Sequence, residues 1–297
     1  MHSGSIRRVH HLNCATFKPW RGITLVTHVL LLELEHGLTL VDTGIGTADV
    51  RNPRRLGSSV KMTGAALRLT ETALRQIEGM GFVGDDVTDI VATHLDYDHI
   101  GGLSDFPLAR LHTTAEEFHT ASRPTLSGGG LMRYRSAHTR PMLNVNTYGH
   151  NDTRVHGLGA RSLRGLDGVF LIPMPGHTVG HAAVALMDPA RGWLVHAGDA
   201  FMHHSALRPA GARTGGVGTR RLRLIERALA ANPAAVATTH NDLRRLSNAG
   251  VRVFCSHDSS QFEALRSESH SDALLVGSGV GRFPSRIGTD TKGDGCE

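Results

Sequence analysis

Four side chains that can bind a metal ion fall within six consecutive residues of this sequence, namely His94, Asp96, Asp98 and His99, and Gly101-Gly102 lies close behind them. A buried carboxylate or imidazole without a partner is costly, so such a group requires a metal ion, an ion-pair network or solvent. In an extended backbone the side chains at 94, 96 and 98 share one face, and a turn at 99 brings the fourth alongside. We therefore predict that this segment binds metal.

Three more candidates lie far along the chain at predicted strand ends: His177 after Pro-Gly, Asp199 after Ala-Gly and His257 after Cys-Ser. Ligands so far apart in sequence are gathered by a fold, and functional side chains concentrate on loops that rigid strands hold in place. Taken alone, His177 or His257 is more often an ordinary loop histidine. Together with the six-residue segment they predict one site.

Strand and turn signals predict the elements that position these residues. Residues 24–34 and 38–42 are rich in β-forming side chains and predict a hairpin that ends at a turn over 42–44. Helical spacing over 67–80 predicts an amphipathic helix, and a strand at 89–92 then delivers His94 to a strand end. A strand at 110–113 and a short helix from 115 follow. The Gly-, Arg- and Pro-rich stretch 123–164 predicts loops or a flexible cap.

The second half of the chain predicts another sheet. Apolar runs at 169–174, 182–187 and 193–196 are bounded by turn signals, and a strand at 251–255 follows helical patterns at 219–231 and 241–248. Beyond about residue 265 the chain is rich in Gly, Ser and Asp. We expect a single domain over 1–265 and a disordered tail over 266–297.

Composition limits the classes of protein to which this chain can belong. The formal net charge is +5, but the arginines are spread along the chain with few aromatic residues between them, which argues against a nucleic acid partner. The three cysteines, Cys14, Cys255 and Cys296, form no CxxC pair, which favours a reducing cytoplasm. Since no apolar run reaches the length of a signal peptide or a membrane span, we expect a cytoplasmic protein that does not insert into membranes.

The motif His-x-(His, Glu or Asp)-x-Asp-His, followed by His, Asp and His in that order, resembles the metallo-β-lactamase superfamily over roughly residues 24–258. The resemblance implies an α/β fold, the four-layer αββα sandwich of two mixed β-sheets, with two divalent metal ions at one edge. It further implies that Asp42, in a strand-end Asp-x-Gly, supports the ligands. The implied ligands are His94, Asp96 and His177 for the first metal ion, Asp98, His99 and His257 for the second, and Asp199 as the bridge.

The sequence departs from the family at Asp96, where the hydrolases usually carry histidine and the flavodiiron relatives carry glutamate. A carboxylate adds negative charge and a harder oxygen donor, which moves the metal preference from zinc toward iron or manganese. We favour zinc because imidazoles still suit it, with iron or manganese as the alternatives. The added charge is also expected to raise the pKa of a bound water above the roughly neutral value of zinc hydrolases.

The expected chemistry is hydrolysis, because two cations that share a water generate hydroxide and polarise a carbonyl or phosphoryl oxygen. Asp98 is the candidate catalytic residue that orients this hydroxide and passes its proton to the leaving group. Tyr97 either donates a hydrogen bond to the developing oxyanion or packs under the metal loop.

The resemblance to N-acyl homoserine lactonases favours a small-molecule lactone, ester or related carbonyl substrate. Those lactonases place tyrosine three residues after the bridging aspartate, and this chain has Met202 there. Three alternatives stay open, one of them a non-catalytic metal-binding scaffold that keeps the fold. A phosphodiesterase or nuclease uses the same metals, and a di-iron oxidoreductase-like protein accounts for the carboxylate at 96. The oligomeric state is not predicted.

Overall fold

The computed structural model of the protein describes residues 5–123, 133–208 and 217–276. The strands in these ranges are β1 (Arg8–Phe17), β2 (Leu25–Leu34), β3 (Gly37–Val41), β4 (Ala65–Ala66), β5 (Val87–Val91), β6 (Arg110–Thr114), β7 (Val145–Tyr148), β8 (Thr153–Val155), β9 (Leu158–Leu163), β10 (Leu166–Pro173), β11 (Ala182–Asp188), β12 (Gly192–His196) and β13 (Arg252–Phe254). The α-helices are α1 (Thr47–Arg51), α2 (Ser59–Thr63), α3 (Ala73–Gly79), α4 (Tyr97–Ile100), α5 (Ala115–Ser122), α6 (Ser136–Thr139), α7 (Val217–Leu229), α8 (Pro233–Asn248) and α9 (Ser259–Val276).

The strands form two mixed sheets. The first has the order β4-β1-β2-β3-β5-β6-β7, and the second has the order β13-β12-β11-β10-β9-β8. In the first sheet β1, β2 and β3 pair antiparallel, whereas β3, β5, β6 and β7 pair parallel. In the second sheet only the β12–β13 pair is parallel among the described strands.

Alternate residues of β2 show how the layers are built. Leu30 and Leu32 face the second sheet and belong to a buried cluster with Val184 of β11, whereas Leu31 faces the other way and belongs to a cluster with Ile77 of α3. On the far side of the second sheet, Leu243 of α8 belongs to a third buried cluster. Because both faces of the first sheet are covered, β2 is apolar almost throughout instead of alternating. The predicted αββα sandwich is confirmed.

All of the predicted strands are present, but two predicted helices are wrong in extent. The helix predicted over 67–80 begins only at Ala73, because Thr72 caps it by accepting a hydrogen bond from the backbone N–H of Arg75. The helix predicted over 241–248 begins at Pro233, where the side chain of Asn232 accepts the backbone N–H groups of Ala234 and Ala235. Proline thus starts this helix and does not interrupt it.

The prediction of loops or a flexible cap over 123–164 is wrong for the residues that the structure describes. This region contains α6 and strands β7, β8 and β9, and β7 pairs with β6 at the edge of the first sheet. These strands carry polar side chains that form hydrogen bonds or ion pairs with neighbouring residues. The guanidinium of Arg161, for example, is buried against Glu116 with Nη1–Oε2 at 2.9 Å.

Two further differences concern the ends of the chain. Strand β1, which the sequence analysis did not predict, pairs with β2 along most of its length. Helix α9 continues to Val276, past the predicted start of a disordered tail at 266, and residues 277–297 lie outside the described part of the chain. None of the described helices combines the length and apolar character that crossing a bilayer requires.

Candidate metal centre

The loops that carry the predicted ligands meet between the two sheets. Residues 94–99 follow β5 of the first sheet, His177 lies between β10 and β11, and Asp199 and His257 follow β12 and β13 of the second sheet. All seven predicted ligands come together in groups whose candidate donor atoms lie within 4.8 Å of one another. The first group is His94, Asp96 and His177, the second is Asp98, His99 and His257, and Asp199 forms a group with His94 and His99.

Distances place Asp199 between the two groups. Its Oδ2 lies 3.0 Å from Nε2 of His257 and 3.5 Å from Nε2 of His177, while its Oδ1 lies 3.2 Å from Nε2 of His99. Within the first group, Oδ2 of Asp96 lies 3.3 Å from Nε2 of His94 and 3.1 Å from Nε2 of His177. A bridging position for Asp199 is compatible with this arrangement.

The donor set fits divalent metal ions. Four of its buried polar atoms make no hydrogen bond within the described structure: Nε2 of His94, Oδ1 of Asp96, Nε2 of His99 and Oδ1 of Asp199. A buried polar atom without a partner costs free energy, so four such atoms in one place fit a site that binds a cation. Imidazole nitrogens with carboxylate oxygens are the ligands that zinc and iron take in proteins.

Nearby carboxylates shift the pKa values of two histidines at the site. Burial alone would lower the pKa of His257, but the carboxylates of Asp199 and Asp98 raise it to about 9. Burial would likewise lower the pKa of His99, and Asp199 and Asp42 raise it well above its ordinary value. Since a metal binds neutral imidazole, metal binding by His99 and His257 would displace protons.

Asp42 contacts the ligand loop directly, as the resemblance implied. Its Oδ1 accepts the backbone N–H of Thr93 at 2.8 Å, and its Oδ2 lies 2.8 Å from Nδ1 of His99. The residue adopts a left-handed backbone conformation with φ of 60°, which few non-glycine residues do. The contact holds His99 with its Nε2 facing Asp199.

Glu117 is a supporting residue that the sequence analysis missed. Its fully buried carboxylate accepts four hydrogen bonds, from the backbone N–H of Leu95 (3.0 Å), the hydroxyl of Tyr134 (3.0 Å), the hydroxyl of Thr178 (2.6 Å) and the backbone N–H of Gly180 (3.1 Å). It therefore ties the 94–99 loop to the His177 loop. In the sequence, the only pattern that involves Glu117 is Thr114-x-x-Glu117 at the start of a helix. That pattern predicts a capping box at an exposed helix end, not a buried carboxylate.

His181 and Arg133 were also missed. Nε2 of the buried His181 accepts the backbone N–H of Asp199 at 3.0 Å, while its Nδ1 donates to the carbonyl of Met174. Arg133 places its guanidinium against Asp96 and His177. Burial alone would raise the pKa of Asp96, but Arg133 and His94 hold it well below its usual range.

The two residues predicted to be catalytic lie on α4. The side chain of Asp98 is 16% exposed and its Oδ2 lies 3.8 Å from Nε2 of His257. The ring of Tyr97 packs against a cluster that includes Phe17, Ile45 and Leu56. Packing under the metal loop, one of the two alternatives for Tyr97, therefore has a structural basis, and the oxyanion role stays a prediction.

Comparison with known proteins assigns the family. The model of the Metallo-beta-lactamase superfamily matches residues 22–261. The chain belongs to the metallo-β-lactamase superfamily. A probable metallo-hydrolase of Mycobacterium tuberculosis is 45% identical over 205 residues, which make up 67% of this chain and 64% of that protein. The chain thus spans somewhat less than two thirds of the length of this relative.

More distant members of the superfamily include lactonases. The N-acyl homoserine lactonase AttM of Azorhizobium caulinodans is 27% identical over 206 residues, covering 66% of this chain and 72% of that protein. The structure of an N-acyl homoserine lactone hydrolase, with N-hexanoyl-L-homoserine at its catalytic metal centre, superposes with a TM-score of 0.65. The two chains share 19% identity, and the match covers 88% of this chain and 96% of the other. This likeness shows a common fold.

Proposed function

We propose that the protein is a hydrolase that uses two divalent metal ions to cleave a small lactone or ester. The observation that carries the proposal is the convergence of seven imidazole and carboxylate side chains from both sheets, with Asp199 between two groups of three. No ordinary protein core gathers so many ionisable groups without a cation. The lactonases among the relatives support the choice of a cyclic or linear ester.

The proposed ligands follow the two groups. His94, Asp96 and His177 would hold one ion, Asp98, His99 and His257 the other, and Asp199 would contact both. When bound, two such ions supply an activated water near neutral pH and polarise the carbonyl oxygen of the substrate. Zinc is the proposed metal because four of the seven ligands are imidazoles, and iron or manganese is the alternative that the carboxylate at 96 favours.

The chain itself must position the substrate and move a proton. Asp98 is the proposed proton carrier because its carboxylate borders the centre and stays partly exposed to solvent. Tyr97, its neighbour in sequence, is the proposed hydrogen-bond donor to the developing oxyanion. Met202 supplies no hydroxyl at the position where the lactonases carry tyrosine, and its backbone N–H donates to Glu226.

The test combines metal analysis with a substrate panel. The purified protein is assayed for bound metals and then for turnover of lactones, esters, thioesters and phosphodiesters, with wild type, Asp98→Asn and the surface control Asp85→Asn. We expect lactone or ester turnover that falls about a hundred- to ten-thousand-fold in Asp98→Asn and stays unchanged in Asp85→Asn. Full activity of Asp98→Asn would falsify its role, and turnover confined to phosphodiesters would establish the alternative activity.

A further inference from the structure

The guanidinium of Arg133 lies directly on two of the ligands proposed for the first metal ion. Its Nη1 is 2.5 Å from Oδ2 of Asp96 and 2.8 Å from Nε2 of His177. Its Nη2 donates to the backbone carbonyl of Leu229, at the end of α7, at 2.6 Å. The side chain is 14% exposed, so the cation is held by three acceptors in a mostly buried place.

A metal ion and this guanidinium cannot use the same two ligand atoms together. Zinc binds carboxylate oxygen and imidazole nitrogen at about 2.0–2.2 Å, and each lone pair directed at a guanidinium N–H is unavailable to a metal. Arginine cannot avoid the conflict by losing its proton, because its guanidinium stays charged at any pH at which the protein is folded. Asp96 keeps its unpaired Oδ1 for a metal, but Nε2 of His177 has only one lone pair, so metal binding through His177 requires Arg133 to withdraw.

The departure at position 96 explains why an arginine lies here. A histidine at this position is a neutral ligand, whereas Asp96 places a second buried carboxylate next to Asp199. A buried carboxylate strongly favours a nearby cation. Among the described residues, no arginine or lysine contacts Asp98, His99 or His257 in this way. The internal cation is thus specific to the first group.

We propose that Arg133 competes with the metal ion for the first group, so that the two ions bind in sequence, the ion at Asp98, His99 and His257 tightly and the ion at His94, Asp96 and His177 weakly. The inference rests on the proposed metal centre. It assigns to Arg133 a positioning role that sets the occupancy of one subsite, and it predicts a protein that passes through a form with one metal ion over a wide range of metal concentration.

The test is a titration of the metal-stripped full-length protein with Zn²⁺ against a chelator indicator, and with Co²⁺ followed by its visible absorption. Wild type is expected to bind one equivalent tightly and a second at least tenfold more weakly. Arg133→Met is expected to tighten the second equivalent by roughly ten- to a hundredfold, the range that residues contacting metal ligands commonly control. Arg140→Met, an exposed arginine of the same region, is the matched control and should leave both equivalents unchanged.

Ligand variants identify the two equivalents. His257→Ala should abolish the tight equivalent, and Asp96→Asn should abolish the weak one. Arg133→Lys, which keeps the charge but not the planar fork, should give intermediate binding and serves as the second variant if Arg133→Met does not fold. Two equally tight equivalents in wild type, or weaker binding in Arg133→Met, would overturn the role of Arg133. Absence of stoichiometric binding in every variant would instead overturn the metal centre on which the inference rests.

Discussion

At the scale of single residues, the ligand imidazoles are oriented by contacts on their outer nitrogens. Nδ1 of His99 contacts Asp42, Nδ1 of His257 lies 2.7 Å from the carbonyl of Val26, and Nδ1 of His94 lies 3.0 Å from the hydroxyl of Thr93. Each contact leaves Nε2 directed toward the centre. Such outer contacts fix the tautomer and the ring orientation of a metal-binding histidine. These supporting contacts therefore help to fix the geometry of the candidate site.

Among these supporting residues, Glu117 is the one whose substitution should be most informative. In Glu117→Gln one of the two oxygens becomes an amide NH₂ group, which cannot accept hydrogen bonds. One backbone N–H is then left without an acceptor, and one hydroxyl must accept from the NH₂ group instead of donating. We expect the free energy of unfolding to fall by about 2 kcal/mol and metal affinity to fall about ten- to a hundredfold. Urea unfolding and metal titration measure the two effects.

The neighbouring Glu116→Gln is the control for this prediction. Glu116 is also on α5, but it is 42% exposed and pairs with Arg161. Because glutamine keeps an oxygen acceptor for the buried Arg161 guanidinium, stability should fall less than in Glu117→Gln, and metal affinity should not change. Equal effects of the two substitutions would show that Glu117 does not hold the ligand loops.

The candidate ligands and Asp42 stood out in the sequence, whereas Glu117, His181 and Arg133 did not. His94, Asp96, Asp98 and His99 stand out because so many ligating side chains rarely occur together. Glu117 looked like a surface residue, because its burial depends on residues 178–180 folding back onto α5. Contacts between residues so far apart in sequence leave no local pattern.

At the scale of elements, the loop between β10 and β11 must approach α5 very closely. A Cβ atom at Gly180 would lie 2.1 Å from the backbone nitrogen of Glu117 and 2.6 Å from its Cα. These atoms are backbone, so they cannot move aside as a flexible side chain would. Glycine at 180 therefore sets the position of the loop that carries His177.

Gly180→Ala should accordingly damage the metal centre as well as the fold. Overpacking of a close contact costs typically about 1–3 kcal/mol, and displacement of the His177 loop should weaken the first metal ion. Thermal unfolding and metal titration of the variant measure both. Gly79→Ala, at a helical glycine with no heavy atom within 4 Å of the added Cβ, is the control and should raise stability by up to about 1 kcal/mol. Unaltered metal binding in Gly180→Ala would contradict the close-contact argument.

The strands missed between 145 and 163 show the limit of hydrophobic patterns. Tyr148 of β7 hydrogen-bonds through its hydroxyl to Nδ1 of His112 at 2.8 Å, and Nε2 of His112 lies 2.9 Å from Asp89. These polar contacts join the neighbouring strands β7, β6 and β5. In most sheets, packed apolar side chains make such contacts between strands. Strands β10, β11 and β12 carry near-continuous apolar runs and were predicted for that reason. Polar strands at a sheet edge become recognisable only when their partners are known.

At the scale of the whole molecule, the candidate metal ligands come from loops of both sheets. Ligands 94–99 belong to a loop of the first sheet, whereas His177, Asp199 and His257 belong to loops of the second. An ion held by both sets opposes their separation during unfolding. Because the unfolded chain cannot present these ligands together, the free energy of metal binding adds to the free energy of folding.

Metal removal should therefore lower thermal stability. At a free Zn²⁺ concentration about a hundredfold above the dissociation constant, one bound ion contributes about 2.7 kcal/mol, which corresponds to roughly 5–10 °C for a domain of this size. Calorimetry of the chelator-treated protein, with and without added Zn²⁺, measures the shift. In His257→Ala the ion bound by Asp98, His99 and His257 loses one ligand, so most of the shift should disappear. An equal Zn²⁺ effect in the variant would mean that the metal acts elsewhere on the surface, and no effect in wild type would mean that the sheets are held together without it.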